Sequence, residues 1–144
     1  MRIREIIENK GGFVVTVDPD RTVLEAMKVL VEHGIGAVVV MRGEEIAGIM
    51  SERDVLRLGA KSPASLETTR VGEVMTRDLI VAVPDDDLDY AMQVMTNNRI
   101  RHLPLVENGK LAGMLSIGDV VNAARRSVES ENRHLRDYIQ GVAT

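Results

Sequence analysis

Two stretches of this chain set a serine three residues before an aspartate at what reads as the start of a helix. They are Gly48-Ile-Met-Ser51-Glu-Arg-Asp54-Val55 and Gly113-Met-Leu-Ser116-Ile-Gly-Asp119-Val120. An ionised carboxylate only accepts hydrogen bonds, so it suits the adjacent hydroxyls of a ribose. A serine beside the free N–H groups of a helix start suits phosphate oxygens. The same spacing also serves a local purpose, since Ser-x-x-Asp can cap its own helix reciprocally and an acid suits the first turn. On residues alone both readings stand. Arg53, Arg99 and Arg101, with His102, are candidate phosphate partners.

Other chemistry is thinly represented. The chain has no cysteine, which excludes disulfides, thiolate catalysis and cysteine-held metal clusters. His33, His102 and His134 lie far apart without ligand spacing, so no metal site is expected. Asp85-Asp86-Asp87 reads as the turn and cap before a helix. No nucleophile has an activating base nearby, so the chain is not expected to be an enzyme. The formal charge of -4 and only three aromatics (Phe13, Tyr90, Tyr138) argue against nucleic acid as a partner. Arg125, Arg126, Arg133 and Arg136 are broken up by Glu129 and Glu131. No signal peptide or membrane span is visible, and a cytoplasmic protein without membrane contact is expected.

The elements that carry these residues are written twice. With Pro19-Asp20 laid over Pro84-Asp85, Ala26-Met27 falls on Ala91-Met92, Ile35 on Ile100 and Ala47-Gly48 on Ala112-Gly113. Ser51 then falls on Ser116 and Asp54-Val55 on Asp119-Val120, without a gap. The leaders Ile3-Arg-Glu-Ile6 and Val71-Gly-Glu-Val74 also match, given a small length difference, and each predicts a short helix opening its unit. In the first unit Phe13–Val17 predicts a strand. Thr22, with Glu25 as capping partner, starts a helix whose apolar face is Val23, Ala26, Met27, Leu30 and Val31, and Gly34 closes it. Ala37–Met41 and Ile46–Met50 follow as strands around an Arg42-Gly43-Glu44 turn. The second unit predicts a strand at Leu79–Val83, a helix from about Asp87 to Asn98, and strands Leu103–Val106 and Leu111–Leu115 about Asn108-Gly109, a strong hairpin signal. Met27, Met92 and Met95 read as core.

The expected fold is therefore α/β (α+β-like). Two pseudo-symmetric repeats, each with a small three-stranded sheet and two main helices, pack as one module because neither could bury its core alone. The bounds read are 1–62 for the first repeat with its leader, 63–70 for a linker and 71–124 for the second repeat. A helical extension follows over 125–144, with Val120, Ala124, Val128, Leu135, Tyr138 and Ile139 at helical spacing.

In matched context the two Gly-x-x-Ser-x-x-Asp stretches resemble the motif of CBS domains. Arg101-His-Leu-Pro104-Leu-Val106 resembles their middle strand, and Gly72-Glu-Val-Met-Thr76 with Leu79-Ile-Val-Ala-Val-Pro84 resembles their opening. The likeness covers roughly residues 1 to 125. It implies a Bateman module, often a homodimer, whose inter-domain clefts take adenosine-containing regulatory ligands: AMP first, because of the Arg and His cluster, then ATP or ADP, NAD or S-adenosylmethionine. It assigns Asp54 and Asp119 to ribose. It places Ile80, Val81 and Ala82, or Thr16 and Val17 in the first unit, where strand backbone reads adenine, and makes Leu103 and Pro104 the adenine slot, with Val38 in the matching place. The unlike charges of the two units imply unequal clefts. With no second domain in the sequence, a regulated target would be a separate protein. The competing expectation is a structural or interaction module without ligand chemistry.

Overall fold

A computed structural model describes residues 1–139, apart from the side chains of Asp137 and Tyr138. The side chain of Tyr138 and residues 140–144 of the expected extension lie outside the described residues. The elements run α1 (Ile3–Lys10), β1 (Thr16–Val17), α2 (Val23–His33), β2 (Ala37–Arg42), β3 (Glu45–Ser51) and α3 (Glu52–Lys61). A 3₁₀ turn at Pro63–Glu67 leads to α4 (Val71–Val74), α5 (Leu88–Asn98), β4 (His102–Glu107), β5 (Lys110–Ser116) and α6 (Ile117–Ile139).

The local signals act as their chemistry dictates. Thr22 Oγ1 accepts from the Glu25 N–H at 3.1 Å while the Glu25 carboxylate takes the Thr22 N–H, a complete capping box. Gly34 ends α2 in the left-handed region at φ 62°. In the second hairpin Asn108 and Gly109 both have positive φ, as a tight two-residue turn requires. Both hairpins are antiparallel and carry the same register shift, after Val40 in one and Leu105 in the other.

The leaders do not belong to the units they open. Ile3, Ile6 and Ile7 of α1 are buried with Ala82, Leu88, Ala91, Met95, Leu103 and Leu105, the core of the second unit. Val71 of α4, with Val74 and Met75, completes the core of Val23, Ala26, Leu30, Val38 and Met50 in the first. The backbone repeats this exchange. Ile3 N–H donates to Asp86 C=O at 3.0 Å and Arg4 N–H to Pro84 C=O at 2.8 Å. Val71 N–H donates to Arg21 C=O at 2.8 Å and Gly72 N–H to Pro19 C=O at 2.9 Å.

Three expectations need correction. The first strand is only Thr16–Val17, and Phe13 is 83% exposed. The expected strand Leu79–Val83 shrinks to one parallel bridge, Ala82 to Leu105, so the second sheet is a two-stranded hairpin. The cause is Pro104. In the first unit Val39 N–H donates to Val15 C=O, whereas Pro104 at the equivalent place has no N–H to give. Val31 and Met92 also face outward, at 78% and 38% exposed, since only one stripe of each helix meets its sheet.

Gly48 shows how tightly the exchanged leader fits. A Cβ there would lie 2.6 Å from the Thr76 carbonyl oxygen and 2.7 Å from Met75 Sδ. Thr76 is held by paired bonds to Ile49, at 2.9 and 3.0 Å, so the backbone has no room to retreat. At Gly113 the nearest atoms are the flexible Ile7 and Leu105 side chains at 3.4 Å. Gly48→Ala should therefore cost about 1–3 kcal/mol of unfolding free energy in urea, and Gly113→Ala clearly less. Equal losses would show that the close approach at Thr76 is not what Gly48 protects.

Candidate functional site

A cleft of about 700 Å³ lies between the two units, around their pseudo-twofold axis. Its walls come in matched pairs: Gly36 with Arg101, Ala37 with His102, Ser51 with Ser116, and Arg53 with Gly118. The starts of α3 and α6 both open onto it. Each is tied down by the same bond, Glu52 N–H to Gly36 C=O at 2.9 Å and Ile117 N–H to Arg101 C=O at 2.8 Å. One end departs from this symmetry, for Thr76, Asp78, Leu79 and Ile80 line it while their counterparts around Gly11–Val15 do not.

The local capping use is realised in both units. Asp54 Oδ2 accepts from the Ser51 N–H at 2.8 Å and from the Ser51 hydroxyl at 3.2 Å. Asp119 Oδ2 accepts from the Ser116 N–H at 2.8 Å, while Ser116 Oγ takes the Asp119 N–H at 3.1 Å. The two aspartates then part company. Asp54 lines the cleft, and its Oδ1 has no protein donor among the described residues. Asp119 lines a separate hollow of about 190 Å³ beside α1, where Lys10 Nζ donates to its Oδ2 at 2.6 Å. Burial opposes ionisation of Asp119, but the bonds from Lys10 and Ser116 outweigh it and hold the carboxyl below its ordinary range.

Arg53, Arg99 and Arg101 all reach the cleft, and none has an ion-pair partner among the described residues. Arg99 ends α5 in the left-handed region at φ 54°, the place that Gly34 holds in the first unit. Such a conformation costs a residue with a Cβ roughly 1–2 kcal/mol. His102 is half-buried, and burial lowers its tendency to protonate below the usual histidine range. Its ring crosses to the other unit: a Cβ at Gly36 would lie 3.5 Å from it and 2.6 Å from Glu52 Oε1. Glu52 and Asp78 join Asp54 as the acids of the cleft.

Of the residues singled out in sequence, Ser51, Arg53, Asp54, Ile80, Arg99, Arg101, His102, Pro104 and Ser116 converge on this one space. Thr16, Val17, Val38, Val81, Ala82, Leu103 and Asp119 do not line it. Val38 and Leu103 are fully buried and Ala82 nearly so, within the cores of their units. Pro104 acts twice here. It walls the cleft, and by lacking an N–H it leaves the Ile80 carbonyl without a described backbone donor. Lys10, Glu52 and Thr76 were not singled out as site residues in the sequence: Lys10 and Thr76 reach their places through the exchange of leaders, and Glu52 meets His102 across the cleft at Gly36.

A family model for the CBS domain matches residues 5–61 and 71–126. The mitochondrial CBS domain-containing protein CBSX3 of Arabidopsis thaliana is 40% identical, over 96% of this chain and 72% of its own length. The crystal structure of the CBS-domain containing protein ATU1752 from Agrobacterium tumefaciens superposes with a TM-score of 0.83 at 39% identity, covering 86% of this chain and 99% of that one. The CBS domain pair of protein MJ0100, crystallised with 5'-methylthioadenosine and S-adenosyl-L-methionine, shares the fold with a TM-score of 0.75 at 21% identity, covering 85% of this chain and 98% of that one. No helix among the described residues is long and apolar enough to cross a membrane.

The Lys10–Asp119 pair makes a pH-dependent contribution with a definite sign. A carboxyl held below its unfolded value stabilises the fold above the ordinary carboxylate range, and that stability is lost as pH falls through the folded value. Lys10→Met should lower unfolding free energy by about 1 kcal/mol at neutral pH. The difference from the parent should be smaller at a pH below the ordinary carboxylate range than at neutral pH, because the carboxyl becomes protonated there. Urea titrations at the two pH values read this, and an undiminished gap in acid would refute the assignment.

Proposed function

The chain belongs to the CBS-domain family, and from that premise we propose that it is a regulatory module binding an adenosine phosphate in the cleft between its units. One observation carries the reading: Asp54, whose Oδ1 has no described protein donor, and Arg53, Arg99 and Arg101, which have no described ion-pair partner, line a single space of about 700 Å³. The carboxylate takes the ribose hydroxyls, the arginines and the starts of α3 and α6 take the phosphate, and Ile80 with Pro104 takes the adenine. The unpaired Ile80 carbonyl accepts from the exocyclic amine. AMP is the first choice among ligands, followed by ATP or ADP and NAD. S-adenosylmethionine ranks below them because its positive charges would face three guanidiniums.

One ligand per chain is the expected stoichiometry, since Lys10 already engages Asp119. Occupancy is transmitted through a homodimer or a separate protein partner. The exposed Val121, Val128, Leu135 and Ile139 of α6 support such a contact and also favour a second reading, a module that only holds partners together.

Calorimetric titration of ligand-stripped protein with AMP, ATP, NAD and S-adenosylmethionine tests the proposal. Saturable binding of AMP is expected, weakened at least tenfold by Asp54→Ala and left nearly unchanged by Asp119→Ala. Arg101→Ala should weaken AMP but not adenosine. Flat titrations of folded, ligand-free protein would leave the partner-holding reading in its place.

A further inference from the structure

A second cavity, of about 380 Å³, shares no lining residue with the cleft. It lies where α4 meets the first hairpin, and Arg42, Arg70 and Arg77 converge on it. Their shared counter-charge is Asp20, at 3.5 Å from Arg42 and 4.0 Å from Arg70, without a guanidinium–carboxylate hydrogen bond. Arg70 instead donates to the Asp20 backbone carbonyl at 3.2 Å, and Arg77 to the Gly72 carbonyl at 2.9 Å. The other acid in the wall, Glu73, accepts from the Arg70 backbone N–H at 2.7 Å. Three guanidiniums therefore face two carboxylates, and Arg77 has no ion-pair partner among the described residues.

The repeat supplies an internal comparison. At the same place in the second unit, Arg4 stands for Gly72, Asp85 for Asp20 and Glu107 for Arg42. There the Arg4 side chain fills the space, donating to Asp85 at 2.8 Å and to Glu107. That place is filled, and Arg4 together with Arg2, 4.0 Å from Asp85, sets two guanidiniums against the two acids. In the first unit the arm is removed by a glycine, and one of its two acids is replaced by an arginine. Space and positive charge are gained together. Gly72 lines the cavity without positive φ, and a Cβ there would lie 3.3 Å from both the Cβ and the carbonyl oxygen of Pro19.

We propose that this cavity is a second binding site, for a small molecule bearing phosphate or carboxylate groups with at least two negative charges. Such an oxyanion would give Arg42, Arg70 and Arg77 the charge-assisted hydrogen bonds that Arg4 already makes in the other unit. The site does not depend on what the cleft binds.

Inorganic phosphate and citrate are the probes, titrated into the full chain at constant ionic strength and followed by amide NMR. Saturable shifts are expected at Gly72, Glu73 and Arg77, and the tighter of the two probes tells phosphate from carboxylate recognition. Arg42→Glu, which restores the acid of the second unit at a 64% exposed side chain, should weaken binding at least tenfold. Its unperturbed amides elsewhere would confirm the fold. Gly72→Arg should abolish binding by filling the space. Shifts that never saturate with either probe, or equal affinity in Arg42→Glu, would overturn the proposal.

Discussion

The reciprocal exchange of leader helices is the constraint from which the rest follows. Each unit of some fifty residues has one small sheet and two helices, too little to cover both faces of its strands. Ile3, Ile6 and Ile7 close the second core and Val71 closes the first, so neither core is complete without the other unit. The exchange also fixes the register between units through paired backbone bonds at Asp86 and Arg21. The cleft is a consequence. Two hairpins held this way bring the starts of α3 and α6 to one space.

The repeat then becomes useful through its breaches. Pro104 removes one ladder bond and frees the Ile80 carbonyl. Arg99 takes a left-handed place where glycine costs nothing. Gly118 stands opposite Arg53. Lys10 reaches Asp119 because α1 is eight residues long where α4 is four. Each substitution acts on one unit only, and those at Pro104, Arg99 and Arg53 fall on the walls of the cleft. A structural duplicate would gain nothing from an arginine at φ 54°. A site that needs a guanidinium at that point does.

Much of this was legible in the sequence, because capping, turn chemistry and apolar spacing are local. Thr22 with Glu25, Gly34 and Asn108-Gly109 act where they stand. The colinear repeat fixed the pairing of elements and the inequality of the units. What was not legible is tertiary. Nothing local in Ile3-Arg-Glu-Ile6 says which core receives it. The parting of Asp54 from Asp119 depends on that choice, since Lys10 rides on the same helix. The strand at Leu79–Val83 was lost for a reason visible only in pairing: its apolar pattern is intact, but its partner at Pro104 has no donor. The exposure of Phe13 has the same character, an extended apolar run longer than the sheet edge available to it.

The exchange also limits how a bound ligand can act. A ligand shifts an equilibrium only by its unequal affinity for the two states. Sliding one unit far against the other would uncover Ile3 or Val71, each now fully buried, at roughly 1.5–3 kcal/mol apiece. Large rotations between the units are therefore opposed by the cores themselves. Small displacements of the cleft walls are not, and three of those walls are also joints: Thr76 follows α4 by two residues, Ser51 joins β3 to α3, and Ser116 joins β5 to α6. α6 continues beyond the core and leaves Val121, Val128 and Leu135 exposed along one side. A shift of a fraction of an ångström at Ser116 would be carried along that helix to its exposed apolar side. For the proposed sensor, a readout at the surface of α6 would therefore cost less than one that opens the module.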